Sequence, residues 1–224
     1  TESVPSFVYR LPSSTPDWAL ATRPRETTMS VTSNLTLHFA DNATDVEFDA
    51  KLDANAGSRF QYRVAGPKEM EVTRASLLSE GVDHAVRWSQ DASGVISLFL
   101  AGPVSGERQL VLSGRLPPAF GQPMPLPTFQ VEGGQHNEGT LHLVREPGIL
   151  VELRDENGLS PIAPFASKAA KPVDGLPVGS YRMVPGTEAT ASVLAIVNEP
   201  EVAGMEVVRL SVTDGAWHAR WECR

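Results

Sequence analysis

At 224 residues, 41% hydrophobic and 21% charged, the chain is long enough to bury a core as one large β domain or two small ones, and wholesale disorder is excluded. Its net charge of −8, with no clustered Lys or Arg, argues against a nucleic-acid partner, because phosphate neutralisation needs a basic surface. The 18 prolines favour loops and edge strands over helices.

Residues 6–11 (SFVYRL) form a short strand candidate, and 18–22 a second beyond the PSSTPD turn. Residues 27–39, rich in Thr, Val and Leu, predict one long or bent strand. The clearest alternation follows: Val46, Phe48, Ala50 and Leu52 are separated by Glu47, Asp49 and Lys51, which puts the apolar set on one strand face.

From Phe60 to Leu116 short apolar and β-branched runs are broken every eight to twelve residues by Gly, Pro, Ser or Asp, the spacing of a β-sandwich or barrel. Phe60, Tyr62 and Val64 alternate with Gln61 and Arg63, so all three are expected on the core face. Residues 95–100 (VISLFL) are apolar on both faces, which predicts a central strand covered on both sides. The GPVSG turn reverses the chain into Leu110 and Leu112. Trp88, before the DASG turn, is expected in the core, where a large ring contributes most.

The segment 117–127 carries five prolines in eleven residues and is the best boundary or crossover candidate. It divides the chain into a sandwich domain at 1–120 and a second β-rich region at 121–224, with a single large sandwich over 1–224 as the alternative. Strands are expected at 128–131, 139–144, 148–154, 189–197, 205–212 and 216–223. Residues 165–171 (FASKAAK) form the one short helix candidate.

No catalytic, cofactor-binding or metal-binding residue is assigned. There is no GxSxG elbow, Walker A sequence or dinucleotide fingerprint. His38, His84, His136, His142 and His218 are scattered; His136 and His142 flank a Gly-containing turn near Glu138, but zinc needs three or four converging ligands. Asp41, Asp45, Asp49 and Asp53 recur every four residues. On a strand they would form a row with about 13 Å between neighbours at roughly 3.3 Å per residue, too spread for one calcium ion and best read as a solvated face. Asp155-Glu156-Asn157-Gly158 reads as a hairpin turn. Asn34 and Asn42 head glycosylation sequons, which matter only in a eukaryotic secretory setting. Cys223 is the only cysteine, so no internal disulfide or Cys-based zinc site is available. No apolar run approaches the 18 residues of a membrane-spanning helix.

The order FQYRV, MEVTRA, VRWSQDASGVISLFLAGPVSGERQLVLSGRLP and PMPLPTFQVEGGQHNEGTLHLV resembles segments of very large exported or membrane-anchored bacterial proteins of the kind frequent in planctomycetes. The likeness spans residues 18–151 and consists of a Trp before a turn and a hydrophobic strand, a small-Gly loop, and a Pro-rich connection. It implies a β-sandwich outside the cytoplasm, periplasmic or at the cell surface, with no active site to carry over. The chain starts at Thr1 rather than Met, which fits an excised piece of a longer exported protein.

The expectation is therefore an all-β, mostly antiparallel sandwich acting as a non-catalytic structural or interaction module. It uses no cofactor, does not insert into a membrane, and takes a polysaccharide or another cell-surface protein as partner. The alternatives are a carbohydrate-binding module and a glycoside hydrolase accessory domain. Trp217 and Trp221 share a strand face at four-residue spacing: exposed together they make a platform, buried they are core. Their alternation with His218, Arg220 and Glu222, and the thiol of Cys223 on the same face, predict inward packing.

Overall fold

The computed structural model describes residues 29–54, 59–104, 106–163, 175–184, 189–198 and 205–223. The strand candidates at 6–11 and 18–22 and the helix candidate at 165–171 lie outside them. The described molecule is all-β, built from seventeen strands. In chain order these are β1 (Met29–Phe39), β2 (Thr44–Ala54), β3 (Arg59–Ala65), β4 (Glu71–Ser79), β5 (Val82–Asp83), β6 (Ala85–Gln90), β7 (Val95–Val104), β8 (Glu107–Leu116) and β9 (Met124–Pro125). They continue as β10 (Gln130–Val131), β11 (Gly134–Arg145), β12 (Ile149–Asn157), β13 (Leu159–Ile162), β14 (Leu176–Met183), β15 (Thr190–Val197), β16 (Glu206–Thr213) and β17 (Ala216–Cys223).

An eight-stranded sheet, ordered β13-β14-β11-β1-β2-β8-β4-β5, is the main layer. Its pairings are antiparallel except β1 with β11, which run parallel. The sequence reasons are local. Alternation in β1, β2 and β8 turns Val31, Leu35, Leu37, Val46, Phe48, Leu52, Leu110 and Leu112 to one face, where all are buried, and turns Thr32, Asn34, Asp49 and Gln109 to the other. A four-stranded sheet (β10-β3-β7-β6) and a three-stranded sheet (β12-β15-β9) supply the opposing side chains. Tyr62, Val64, Ile96 and Leu98 come from the former and Ile149, Val193 and Ala195 from the latter, all in one continuous core. Phe48 and Phe129 stack across the layers with ring centroids 4.6 Å apart, the offset geometry aromatic pairs favour.

The Pro-rich segment is a crossover with a structural role of its own. Met124 and Pro125 pair with Val193 and Ser192, and Gly121 and Leu126 donate backbone hydrogen bonds to Ala195 and Ala191. Lying along the rim of the third sheet suits prolines, which cannot donate into a ladder. Strands from beyond it, β11 and β14, then enter the main sheet beside β1.

Four local expectations change. Phe60 is 62% exposed, because the register between β3 and β7 shifts at Arg59–Gln61 and this irregularity takes Phe60 off the core face. The 95–100 strand is central in its own sheet, yet Ile96, Leu98 and Leu100 are buried while Val95 and Phe99 are only half-buried; the outer cover on Phe99 is the Arg87 guanidinium, 4.5 Å from the ring centroid. Trp88 pairs with Leu98 from the edge strand β6 and is 36% exposed, since an edge position leaves one side of the ring uncovered. Asn157-Gly158 does not close a hairpin: β12 pairs with β15 and β13 with β14, so the turn is a corner between two sheets.

Candidate functional site

Two surfaces carry side chains that no core or turn requirement explains, and the first is the outer face of the main sheet. Register places Arg182, Thr140, Asn34 and Asp49 side by side on β14, β11, β1 and β2. They line a depression of about 570 Å³ with Thr32, Lys51, Gln109 and Glu138. Thr140 donates to Asn34 Oδ1 at 2.5 Å, Gln109 donates to Asp49, Lys51 lies 2.9 Å from Glu107 and Arg115 2.9 Å from Asp45. Burial raises the Asp49 carboxyl above its ordinary value, against the opposing effect of its Gln109 hydrogen bond. Asp45, Asp49 and Asp53 share this face through the β2 register, whereas Asp41 sits in the β1–β2 turn. The acidic row is thus largely spent on cross-strand pairs, each a modest surface interaction.

Ser180 Oγ lies 2.8 Å from His142 Nδ1, directly across β11 and β14. A nucleophile and a base within reach is a catalytic geometry in principle. Here the two residues are 3% and 2% exposed, and burial holds the imidazole below its ordinary pKa. The pair closes hydrogen-bonding needs inside the sheet. His136 stands elsewhere, accepting a bond from the Val131 amide at 3.4 Å. Among the described residues no three His, Cys, Asp or Glu side chains gather as metal ligands.

The second surface is the hairpin of β16 and β17, a two-stranded sheet of its own. The Asp214-Gly215 turn has φ of 52° and 77°, the pair of positive values that a two-residue hairpin turn needs. Register sets Val208 opposite Trp221, Leu210 opposite Ala219 and Val212 opposite Trp217. Because directly opposite residues share a face, these six form one apolar side. Arg209, Arg220, Ser211 and His218 form the other.

The apolar side is open. Trp217 is 73% exposed, Trp221 65%, and Leu210 65%. This corrects the expectation of inward packing. The alternation is real, but among the described residues no second layer covers it. The Cys223 side chain lies outside the described ones. Periodicity shows which residues share a face and is silent about whether anything covers it, so the sequence could name the two tryptophans without placing them.

No family model matches the chain, and no curated protein matches it. Among solved structures, a crystal structure described as that of a "putative protease" from Parabacteroides distasonis is similar over 76% of this chain, with 13% identity and a TM-score of 0.40. The match spans 40% of that protein's own length. A likeness of that size carries nothing about activity.

Proposed function

We propose that the chain is a non-catalytic interaction module of an exported protein, and that it works through the apolar face of the β16–β17 hairpin. One observation carries the reading: Trp217 and Trp221 stand exposed on a single face filled in by Val208, Leu210 and Val212. Aromatic side chains bury about 150–250 Å² each when covered. With the three aliphatics the open face reaches several hundred Å², the upper end of what monomers leave contiguous. Tryptophans at the centre of such a patch are the residues that dominate binding energy.

The occupant is a protein surface of the same chemistry, a second copy of this chain. The patch has no charged residue at its centre, so a two-fold operation lays it on itself without clash of sign. Two such faces together bury on the order of 1,000 Å², the low end of specific interfaces, which argues for micromolar rather than nanomolar association. Sugar would be a poorer fit. Its hydroxyls need hydrogen-bond partners when desolvated, and the side chains beside the rings are aliphatic. The extracytoplasmic setting rests on the sequence resemblance alone.

Sedimentation velocity between about 1 and 100 μM, with soluble polysaccharides titrated against tryptophan emission, tests the reading. The expected result is a concentration-dependent dimer in the wild type, a monomer in the Trp217→Ser/Trp221→Ser double variant at an unchanged unfolding midpoint, and no sugar response. Saturable quenching by a polysaccharide, lost in the double variant, would replace this reading with carbohydrate binding. A monomer at every concentration would remove the homotypic contact.

A further inference from the structure

A second, independent feature sits inside the sandwich at the start of β8. Arg108 is 2% exposed and is the one charged side chain among the buried described residues. It lies on the core face of β8, two residues before Leu110 and directly opposite Leu52. Its Nη1 donates to the Tyr62 hydroxyl. Its Nε and Nη2 are buried with no partner, and among the described residues no carboxylate pairs with it. A second guanidinium is close by: the Arg59 and Arg108 carbons lie 5.8 and 5.7 Å from the centroid of the Tyr62 ring. Burial, and secondarily the Arg59 charge, makes the charged form of Arg108 harder to hold.

Leaving a charge buried and unpaired costs several kcal/mol, and unpaired buried donors are rare in folded proteins. The two unused groups are not an arbitrary pair. Nε–H and Nη2–H point the same way along one edge of the planar guanidinium, the fork that donates two parallel hydrogen bonds to the two oxygens of a carboxylate or phosphate. Arg59, half-buried at the rim and donating from Nη1 to the Glu132 carbonyl at 3.1 Å, adds a second positive charge beside the same ring. A core has no packing reason to place a guanidinium there if an apolar side chain would serve.

We propose that the Arg108 fork is a buried binding site for a small anion with two adjacent oxygens, a carboxylate, phosphate or sulfate. The anion neutralises the Arg108 guanidinium and completes its hydrogen bonding, with the Arg59 charge adding long-range attraction, so that binding and folding are coupled.

Thermal unfolding of the whole chain at fixed ionic strength, with chloride exchanged for phosphate, sulfate or acetate, tests this in the wild type and in Arg108→Met. In the wild type the midpoint should climb by several degrees and saturate with anion concentration. Arg108→Met should begin above the anion-free wild type, having lost an unpaired buried charge, and show no saturable response. Saturation by acetate identifies carboxylates as ligands; saturation by phosphate or sulfate alone identifies tetrahedral anions. An equal, unsaturating rise in both proteins is the general exclusion effect of such salts and overturns the proposal, as does a wild type indifferent to all three. Should Arg108→Met fail to fold, calorimetric titration of the wild type and of Arg59→Gln decides. One anion per chain, bound several-fold more weakly by the variant, upholds the site, and no saturable heat overturns it.

Discussion

Leu112 has no exposed surface, and on β8 it faces the same core as Phe48 and Ala75, its partners on either side. Truncating it to Ala should cost about 2–5 kcal/mol in a urea titration, the transfer term plus a cavity that a rigid sheet cannot collapse. Trp88→Ala should cost less than that of a fully buried ring, below about 3 kcal/mol, because a third of the ring is already in water. Equal losses at the two sites would mean that the edge of the second sheet is covered in solution. Both residues sit in runs that look alike in the sequence. What separates them is strand order: β8 is flanked on both sides, whereas β6 is an edge, and a one-dimensional pattern does not encode that.

His142 makes a pH prediction. Its folded pKa is depressed by burial, so the unfolded chain takes up the proton first and the native state prefers the neutral ring. The contribution is complete above the unfolded value of about 6.5 and is lost as pH falls below it toward the folded value. The unfolding midpoint should drop between pH 7 and pH 5, and His142→Gln, which retains a partner for Ser180, should flatten that slope. Asp49 works in the opposite sense. Its raised pKa disfavours the charged form in the native state, so Asp49→Asn should raise the midpoint at pH 7 and leave it unchanged near pH 3. A midpoint that falls at pH 7 would show that the Gln109 contact outweighs desolvation.

At the scale of elements, the turn from β6 to β7 is specified by two residues. Asp91 Oδ1 accepts from the Ser93 and Val95 amides at 2.9 and 3.0 Å and from the Ser93 hydroxyl at 2.6 Å, and these bonds hold its carboxyl below the usual range. Gly94 then takes φ +89°, with the Gly66 carbonyl 2.5 Å from where a Cβ would lie. Gly81 has nearly the same φ, +80°, and nothing within 4 Å. Backbone conformation alone penalises Ala at either site by about 1 kcal/mol. Gly94→Ala should add a steric cost and lose roughly 2–4 kcal/mol in total. Matching midpoints for the two variants would show that the Gly66 loop yields freely. This DASG turn was plain in the sequence, since Asp and Gly punctuate strands for known backbone reasons. The Asn157-Gly158 corner carries the same punctuation, and only the pairing partners of β12 and β13 show that it joins two sheets. Phe60 was misplaced for a related reason, because a bulge shifts the period of two without leaving a mark in residue type.

For the whole molecule, the strand-rich composition, the excess of proline and the eight-to-twelve-residue rhythm make an all-β sandwich legible in the residues alone. Sheet membership was not legible. The parallel pairing of β1 with β11 joins residues about a hundred positions apart, and such closure depends on how layers fill space rather than on local pattern. The candidate surfaces divide in the same way. Trp217 and Trp221 were visible as a pair, whereas Arg108 gave no signal, being one arginine in an ordinary alternating strand whose burial follows from the Tyr62 layer above it.

A two-stranded hairpin with one apolar face is marginal in water by itself, so its stability has to come from the surface that covers it. Amide hydrogen exchange of the chain at increasing concentration measures this directly. Between about 1 and 100 μM, amides of residues 206–223 should become progressively protected, while those of β1, β2, β8 and β11 stay slow throughout. Exchange in 206–223 that is the same at every concentration, whether fast or slow, would contradict the assignment of the hairpin face to a second copy of the chain.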